Sequence, residues 1–143
     1  MRKNLIILLA SMALISCSGA NSSKYVSESQ FIQYYGKIEF NSPTFNNGVR
    51  TECISDKGSV LACDIVGPLT GGVESIKDVV NEIAKVISAF NEQSDYTSLV
   101  NDSAKALEQA ISDKNLKSFN KFGSKTYVNI EVKNNNAYIT ITN

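Results

Sequence analysis

The chain has 143 residues, of which 43% are hydrophobic and 20% are charged, and this suits one small globular domain. Its 14 basic residues balance its 14 acidic ones, so there is no positive excess for binding nucleic acid. Only two of the basic residues are arginines, so bidentate clamping of phosphate or carboxylate is not expected to be the main function. Histidine is absent, which excludes Ser–His and Cys–His nucleophile pairs and every zinc site that uses imidazole.

The beginning of the chain has the pattern of an export signal. Arg2 and Lys3 supply a positive start, and an apolar run follows from Leu5 to Ile15. A helix of that length spans only about 16 Å, whereas the hydrocarbon core of a bilayer is about 30 Å thick. Residues 1–16 are therefore predicted to be a cleaved signal peptide rather than a membrane span.

The end of this segment, Leu14-Ile15-Ser16-Cys17, resembles the lipobox of bacterial lipoproteins. The resemblance implies that Cys17 carries a thioether-linked diacylglycerol, that signal peptidase II cuts before it, and that its amino group is acylated with a fatty acid such as palmitate. In that family the next residue helps to sort lipoproteins between membranes. Ser18 is not the aspartate that retains them at the inner membrane, so the resemblance implies an outer-membrane address in a host with two membranes. The alternative is an ordinary signal peptide with Cys17 as a bystander.

Residues 17–30 predict a lipidated cysteine followed by a flexible tether. Residues 18–30 are small or polar and show no hydrophobic period. A flexible segment of this length reaches roughly 20 Å. Removal of residues 1–16 leaves 12 basic against 14 acidic residues, a net charge of −2, so the mature chain gains no attraction to anionic lipid beyond its anchor.

Residues 31–40 alternate in polarity and predict a half-buried strand. One face would carry Ile32, Tyr34, Ile38 and Phe40, and the other Gln33, Tyr35, Lys37 and Glu39. Pro43 and Gly48 mark the loop that follows.

Residues 49–66 predict a hairpin with one cysteine on each arm. In an exported protein, Cys53 and Cys63 most simply form a disulfide. Two local rules conflict here. A three-residue loop over 56–58 is good turn chemistry but leaves the cysteines diagonal, whereas their direct pairing needs the tip to move to 57–59. We expect the disulfide, with the turn absorbing the difference; the alternative is two buried free thiols.

Two helices are predicted next. Apolar residues recur at steps of three and four over residues 73–90, which indicates an amphipathic helix of about five turns. A weaker pattern over residues 99–111 predicts a second helix, with Thr97 or Ser98 as its cap. The sequence NKFG at 120–123 then breaks the pattern.

Residues 126–142 predict a second hairpin with a two-residue type I′ turn at Asn134-Asn135. This register pairs Val132 with Ala137, Ile130 with Ile139 and Val128 with Ile141, so that every apolar residue on one face meets an apolar partner. Tyr127, Asn129, Glu131, Tyr138, Thr140 and Thr142 go to the other face.

This element order predicts an α+β fold: a small antiparallel sheet, made of one strand and two hairpins, with two helices packed on one face. Residues 31–143 would form the single domain. No internal repeat or second domain is visible.

Three motifs invite a chemical interpretation, and each has a more ordinary one. Ser118-x-x-Lys121 fits the pattern of penicillin-binding proteins and β-lactamases, but their companion motifs are missing, so a solvated helix end is expected. GPLTGG at 67–72 precedes a helix but lacks the ending of a P-loop, so a plain loop is expected. Glu74, Asp78 and Glu82 line one helical face and are expected to be solvated rather than to bind a cation or a basic partner.

The outer face of the sheet is the best candidate for a function. On the predicted register it presents Tyr35, Tyr127, Glu131 and Tyr138, and tyrosine is favoured at binding surfaces. We expect a non-enzymatic lipoprotein, anchored in the cell envelope, that binds an envelope or extracellular protein and needs no cofactor or metal. The alternatives are a small-ligand-carrying or structural lipoprotein, favoured by an apolar cavity, and an envelope hydrolase, favoured by two facing acids.

Overall fold

The computed structural model describes residues 25–93 and 95–143. The elements in chain order are β1 (Val26–Ser27), α1 (Glu28–Tyr35), β2 (Pro43–Asn46), β3 (Val49–Asp56), β4 (Ser59–Pro68), α2 (Gly72–Asn91), α3 (Tyr96–Ser112), β5 (Lys117–Phe122), β6 (Thr126–Lys133) and β7 (Asn136–Thr142). No helix in the described ranges is long and apolar enough to cross a membrane.

The strands form one antiparallel sheet in the order β2-β3-β4-β7-β6-β5, and β1 pairs with the start of β4. Two meanders, β2-β3-β4 and β5-β6-β7, are joined in the middle because β7 lies beside β4. Helices α2 and α3 make the connection between the meanders. The α+β class and the antiparallel sheet are therefore as predicted, but the described residues form seven strands and three helices rather than five and two.

All three helices lie on the inner face of the sheet. Val79 of α2 approaches Gly67 of β4 so closely that an added Cβ would lie 2.5 Å from a valine methyl. Ser118 of β5 donates a hydrogen bond to the carbonyl of Ala106 on α3. The first helix joins this layer through the ring of Phe31, which packs edge-on against Phe90 of α2 at 5.3 Å.

The predicted strand over residues 31–40 is wrong, because the chain forms α1 there. Ser27 caps the helix by accepting a hydrogen bond from the Gln30 backbone, while the Gln30 side chain bonds back to Ser27. Phe31 and Tyr35 are spaced by one helical turn, and both are buried. Residues 26–30, assigned above to the tether, belong to β1 and to the first turn of α1.

The β3–β4 hairpin carries the Cys53–Cys63 disulfide, with the two cysteines directly opposite and their Cα atoms 4.0 Å apart. Neither predicted turn occurs. Lys57 and Gly58 form a two-residue turn with positive φ at both positions, and a bulge at Leu61 on β4 shifts the register before the cysteines. The bulge, rather than the turn, reconciles good turn chemistry with direct cysteine pairing.

The first long helix, α2, forms where its periodicity predicts it. The second, α3, begins after a different cap: Asp95 accepts a hydrogen bond from the Ser98 backbone, whereas Thr97 and Ser98 are inside the helix. Asp95 stands immediately before the helix and its carboxylate suits an N-terminus.

Strand β5 was not predicted, and it changes the meaning of Ser118-x-x-Lys121. The segment is a strand instead of a helix end, so residues three apart point to opposite faces. Ser118 is buried beneath α3, whereas Lys121 is exposed on the other side of the sheet. The serine and the lysine therefore do not form a nucleophile–base pair.

The β6–β7 hairpin has the predicted register. Ile130 lies opposite Ile139 and Val128 opposite Ile141, and all four side chains are buried. Asn134 and Asn135 both have positive φ, as a type I′ turn requires. The tyrosines of this hairpin are consequently on the outer face.

Candidate functional site

The outer face of the β5–β6–β7 meander presents aromatic side chains to solvent. Tyr127 and Tyr138 are 37% and 38% exposed. Glu131 lies directly opposite Tyr138 on the neighbouring strand and is exposed as well. Three of the four residues predicted to form a binding surface are therefore on one accessible face.

Strand β5 adds a residue that the sequence analysis missed. Phe119 is 67% exposed, and its ring stacks on the ring of Tyr127 with centroids 5.7 Å apart. The Lys121 ammonium lies 5.5 Å from the centroid of the same tyrosine ring. We call Phe119, Tyr127, Tyr138 and Glu131 the aromatic face.

The signal that could have revealed Phe119 is the alternation of β5. Lys117, Phe119 and Lys121 point outward, whereas Ser118 and Phe122 are buried. Each face of this strand carries a single apolar residue, so its period is weak.

The aromatic face is chemically suited to binding. Stacked rings offer a large, rigid contact area that loses little conformational entropy when it is covered. Lys121 and Glu131 supply opposite charges beside the rings, which can orient a partner.

Tyr35 is not part of this face. It is buried at the end of α1, and its hydroxyl donates a hydrogen bond to the Glu82 carboxylate on α2. Thr51 on β3 donates a second hydrogen bond of 2.7 Å to the same carboxylate. The Lys85 ammonium lies 4.4 Å from the centroid of the Tyr35 ring and 3.9 Å from a Glu82 oxygen. Burial and then the Glu82 carboxylate raise the pKa of Tyr35 above its ordinary value.

The predicted acidic stripe of α2 is solvated only in part. Glu74 is exposed and Asp78 is half-buried, but Glu82 is 2% exposed. Glu82 is buried because α1 packs over this part of α2, where the Tyr35 hydroxyl donates a hydrogen bond to the Glu82 carboxylate. Glu82 is therefore a structural carboxylate beneath the surface, and the solvated interpretation is wrong for it.

A pocket of about 520 Å³ lies between α3 and the end of β5. Its lining is mostly polar and comprises Gln93, Leu99, Asp102, Lys105, Ala106, Gln109, Asn120, Lys121, Phe122 and Gly123. Asp102 is the single acid in this lining. The pocket is therefore not a cleft between paired carboxylates, nor is it an apolar cavity.

Three cysteines were predicted to have a role. The Cys53–Cys63 disulfide is present, whereas Cys17, the predicted lipidation site, lies outside the described residues. Within residues 25–93 and 95–143, no group of three or more cysteine, aspartate or glutamate side chains is placed to hold a metal ion.

Comparison with protein-family models, with curated proteins and with solved structures finds no match to this chain.

Proposed function

We propose that this protein is a lipoprotein of the cell envelope whose domain is a non-enzymatic binding module. The lipobox resemblance at Leu14-Ile15-Ser16-Cys17 supports the anchor, with lipid on Cys17. Seven residues separate Cys17 from Tyr25, where the described domain begins. A flexible segment of that length reaches roughly 15 Å, so the domain works close to the membrane.

The observation that carries the binding function is the exposed stack of Phe119 on Tyr127. An open strand face that exposes a phenylalanine and two tyrosines leaves more apolar area in water than the contact between Phe119 and Tyr127 alone covers. A protein partner that covers this face would bury the rings and leave Glu131 and Lys121 at the rim. Tethering near the membrane raises the effective concentration toward an envelope partner.

The two alternatives need features that the pocket beside β5 does not supply. A hydrolase that uses acids needs two carboxyl groups facing each other, and Asp102 stands alone in that lining. A carrier of apolar ligands needs an apolar cavity, and half of the ten residues that line this pocket are lysines or carry side-chain amides.

The anchor is tested by metabolic labelling with an alkyne fatty acid, followed by the intact mass of the mature protein. We expect label on the wild type, a mature chain that begins at Cys17, and no label on Cys17→Ser. An unlipidated mature amino terminus would show that the segment is an ordinary signal peptide.

The binding function is tested by crosslinking tagged protein in intact cells and identifying partners by mass spectrometry. We expect one dominant envelope protein, lost from a Phe119→Ala/Tyr127→Ala/Tyr138→Ala variant. Tyr34→Ala is the matched control, because Tyr34 is also 37% exposed but belongs to α1. Equal partner recovery from the triple variant and the wild type would contradict a role for the aromatic face.

A further inference from the structure

Strand β5 is an edge of the sheet with open backbone hydrogen-bonding groups. The Val132 amide bonds the Leu116 carbonyl, and in an antiparallel ladder such pairs alternate along the strands. The backbone groups of Lys117, Phe119 and Lys121 consequently point away from β6. The opposite edge is different, because β2 has only four residues and contains Pro43, which cannot donate.

The polar pocket lies beside this open edge. Its walls are the exposed flank of α3, including Asp102 and Gln109, and the end of β5. Asn120 on β5 lines the pocket, and its side-chain nitrogen is buried without a hydrogen-bond partner among the described residues. A buried donor of this kind needs an acceptor, and a ligand in the pocket can provide one. The open strand edge and the flank of α3 form a groove that suits an extended chain. The side-chain nitrogen of Asn120 is available in this groove as a hydrogen-bond donor.

The β5 edge and its surroundings are basic, although the predicted mature chain as a whole is acidic. Residues 113–125 contain four lysines and one acid, Asp113, and the lining of the pocket adds Lys105 and one further acid, Asp102, from α3. The two salt bridges among the described residues, Arg50–Glu52 and Lys85–Glu82, involve none of these lysines. Their charges are therefore available to a ligand.

We propose that the β5 edge binds an extended, acidic segment of a partner protein, which joins the sheet as an additional strand. Backbone bonds to Lys117, Phe119 and Lys121 would supply affinity, and the lysines would select acidic side chains. This inference rests on the proposed function, because it names the partner's chemistry.

Two other occupants fit the charge poorly. Residues 1–24 of this chain contain no aspartate or glutamate, so they do not supply the acidic segment. A second copy that pairs β5 with β5 would bring Lys117 and Lys121 of both copies together, and like charges on paired strands repel. Edge lysines also discourage pairing with uncharged strands, which restricts the edge to acidic ones.

The test uses a photo-crosslinking amino acid placed in the full chain in living cells at one of three exposed positions. Gln109 reports on the groove, Asn129 on the aromatic face, and Tyr34 on a remote helix. We expect Gln109 to crosslink to an acid-rich segment of one partner, located by mass spectrometry, and Tyr34 not to crosslink to it. Crosslinking from Asn129 alone would overturn the edge inference but retain the proposed function. Crosslinking from neither Gln109 nor Asn129 would overturn both.

A variant without two of the lysines tests whether their charges contribute to binding. Lys117→Gln/Lys121→Gln is expected to lower the Gln109 crosslinking yield at least about tenfold, because two positive charges of the β5 edge strand, which would attract the acidic segment, are lost. Lys37→Gln/Lys77→Gln removes two exposed lysines elsewhere and should retain the yield. A crosslink from Gln109 to a second copy of this chain, to a segment without excess acid, or with equal yield in both variants, would overturn the proposal.

Strand addition has its own signature in amide exchange. The crosslinked segment, made as a synthetic peptide, should slow exchange of the Lys117, Phe119 and Lys121 amides by at least about tenfold in the purified protein. Binding that leaves these three amides unprotected would show that the segment docks without joining the sheet, and would overturn the proposal.

Discussion

Thr51 on β3 donates a 2.7 Å hydrogen bond to the Glu82 carboxylate on α2, so a buried charge ties the sheet to a helix. The Tyr35 hydroxyl donates to the same carboxylate from α1. One side chain therefore holds together three elements that are far apart in the sequence. A buried carboxylate is costly unless it is hydrogen-bonded, and these contacts offset that cost.

Removal of the Glu82 carboxylate should lower the stability of the folded protein. Glu82→Ala leaves the hydroxyls of Tyr35 and Thr51 buried without their acceptor, and we expect the free energy of unfolding to fall by about 3 kcal/mol. Glu74→Ala is the matched control on the same helix face, because Glu74 is exposed, and it should change stability by less than about 0.5 kcal/mol. Urea denaturation measures both. Equal small effects would contradict a structural role for Glu82.

Alkaline pH should destabilise the protein through Tyr35. Burial and Glu82 raise its pKa above the ordinary value of 10.0, so above pH 10 the unfolded chain loses the phenolic proton while the folded chain keeps it. This contribution to stability is complete below pH 10 and is lost as pH rises above it. Above pH 10, wild type should lose up to about 1.4 kcal/mol more per pH unit than Tyr35→Phe, whereas the two profiles should be parallel near pH 9, as measured by urea denaturation between pH 9 and 11.5. Parallel pH profiles would contradict the assignment.

The Cys53–Cys63 disulfide closes a short loop, because the two cysteines are separated by 10 positions in the sequence. We expect Cys53→Ala/Cys63→Ala to lower the free energy of unfolding by about 3 kcal/mol, chiefly because the unfolded chain gains freedom. Dithiothreitol should destabilise the wild type by a similar amount and leave the double variant unchanged. If the reductant has the same effect on both proteins, the disulfide does not contribute to the free energy of unfolding.

Gly67 marks the closest approach between the sheet and α2. A Cβ at this position would lie 2.5 Å from a Val79 methyl, so Gly67→Ala should cost about 2 kcal/mol through overpacking. Adding Val79→Ala removes the clashing methyl, and the double variant should be more stable than the sum of the two single effects predicts. Additive thermal denaturation results would show that the two positions do not clash.

Three of the four residues of the aromatic face were predictable from the sequence. The β6–β7 hairpin has an unbroken alternation of apolar residues and a turn that only a few residue types form, so its register placed Tyr127, Glu131 and Tyr138 correctly. Phe119 was not found because β5 is six residues long and has one apolar residue on each face. Strand β5 is recognisable only from its pairing with β6 and its packing against α3.

Tyr35 shows the opposite case, in which local polarity was misleading. The alternation over residues 31–40 predicted a strand, but the same stretch also carries a capping box at Ser27 and Gln30 and a helical spacing of Phe31 and Tyr35. A short segment can satisfy both periods, and the contact of Phe31 with Phe90 decides between them.

The sequence by itself determined the elements whose signals are local: the long amphipathic helix α2, the β6–β7 register and the pairing of Cys53 with Cys63. The helix and the register follow from periodicity and turn chemistry among neighbouring residues, and the cysteine pairing follows from the expectation that two cysteines on one hairpin of an exported protein form a disulfide. Only the tertiary structure decided the helix at α1, the burial of Glu82 and the open edge of β5. Each of those depends on contacts between residues distant in the chain, because burial and strand pairing are properties of the packed molecule.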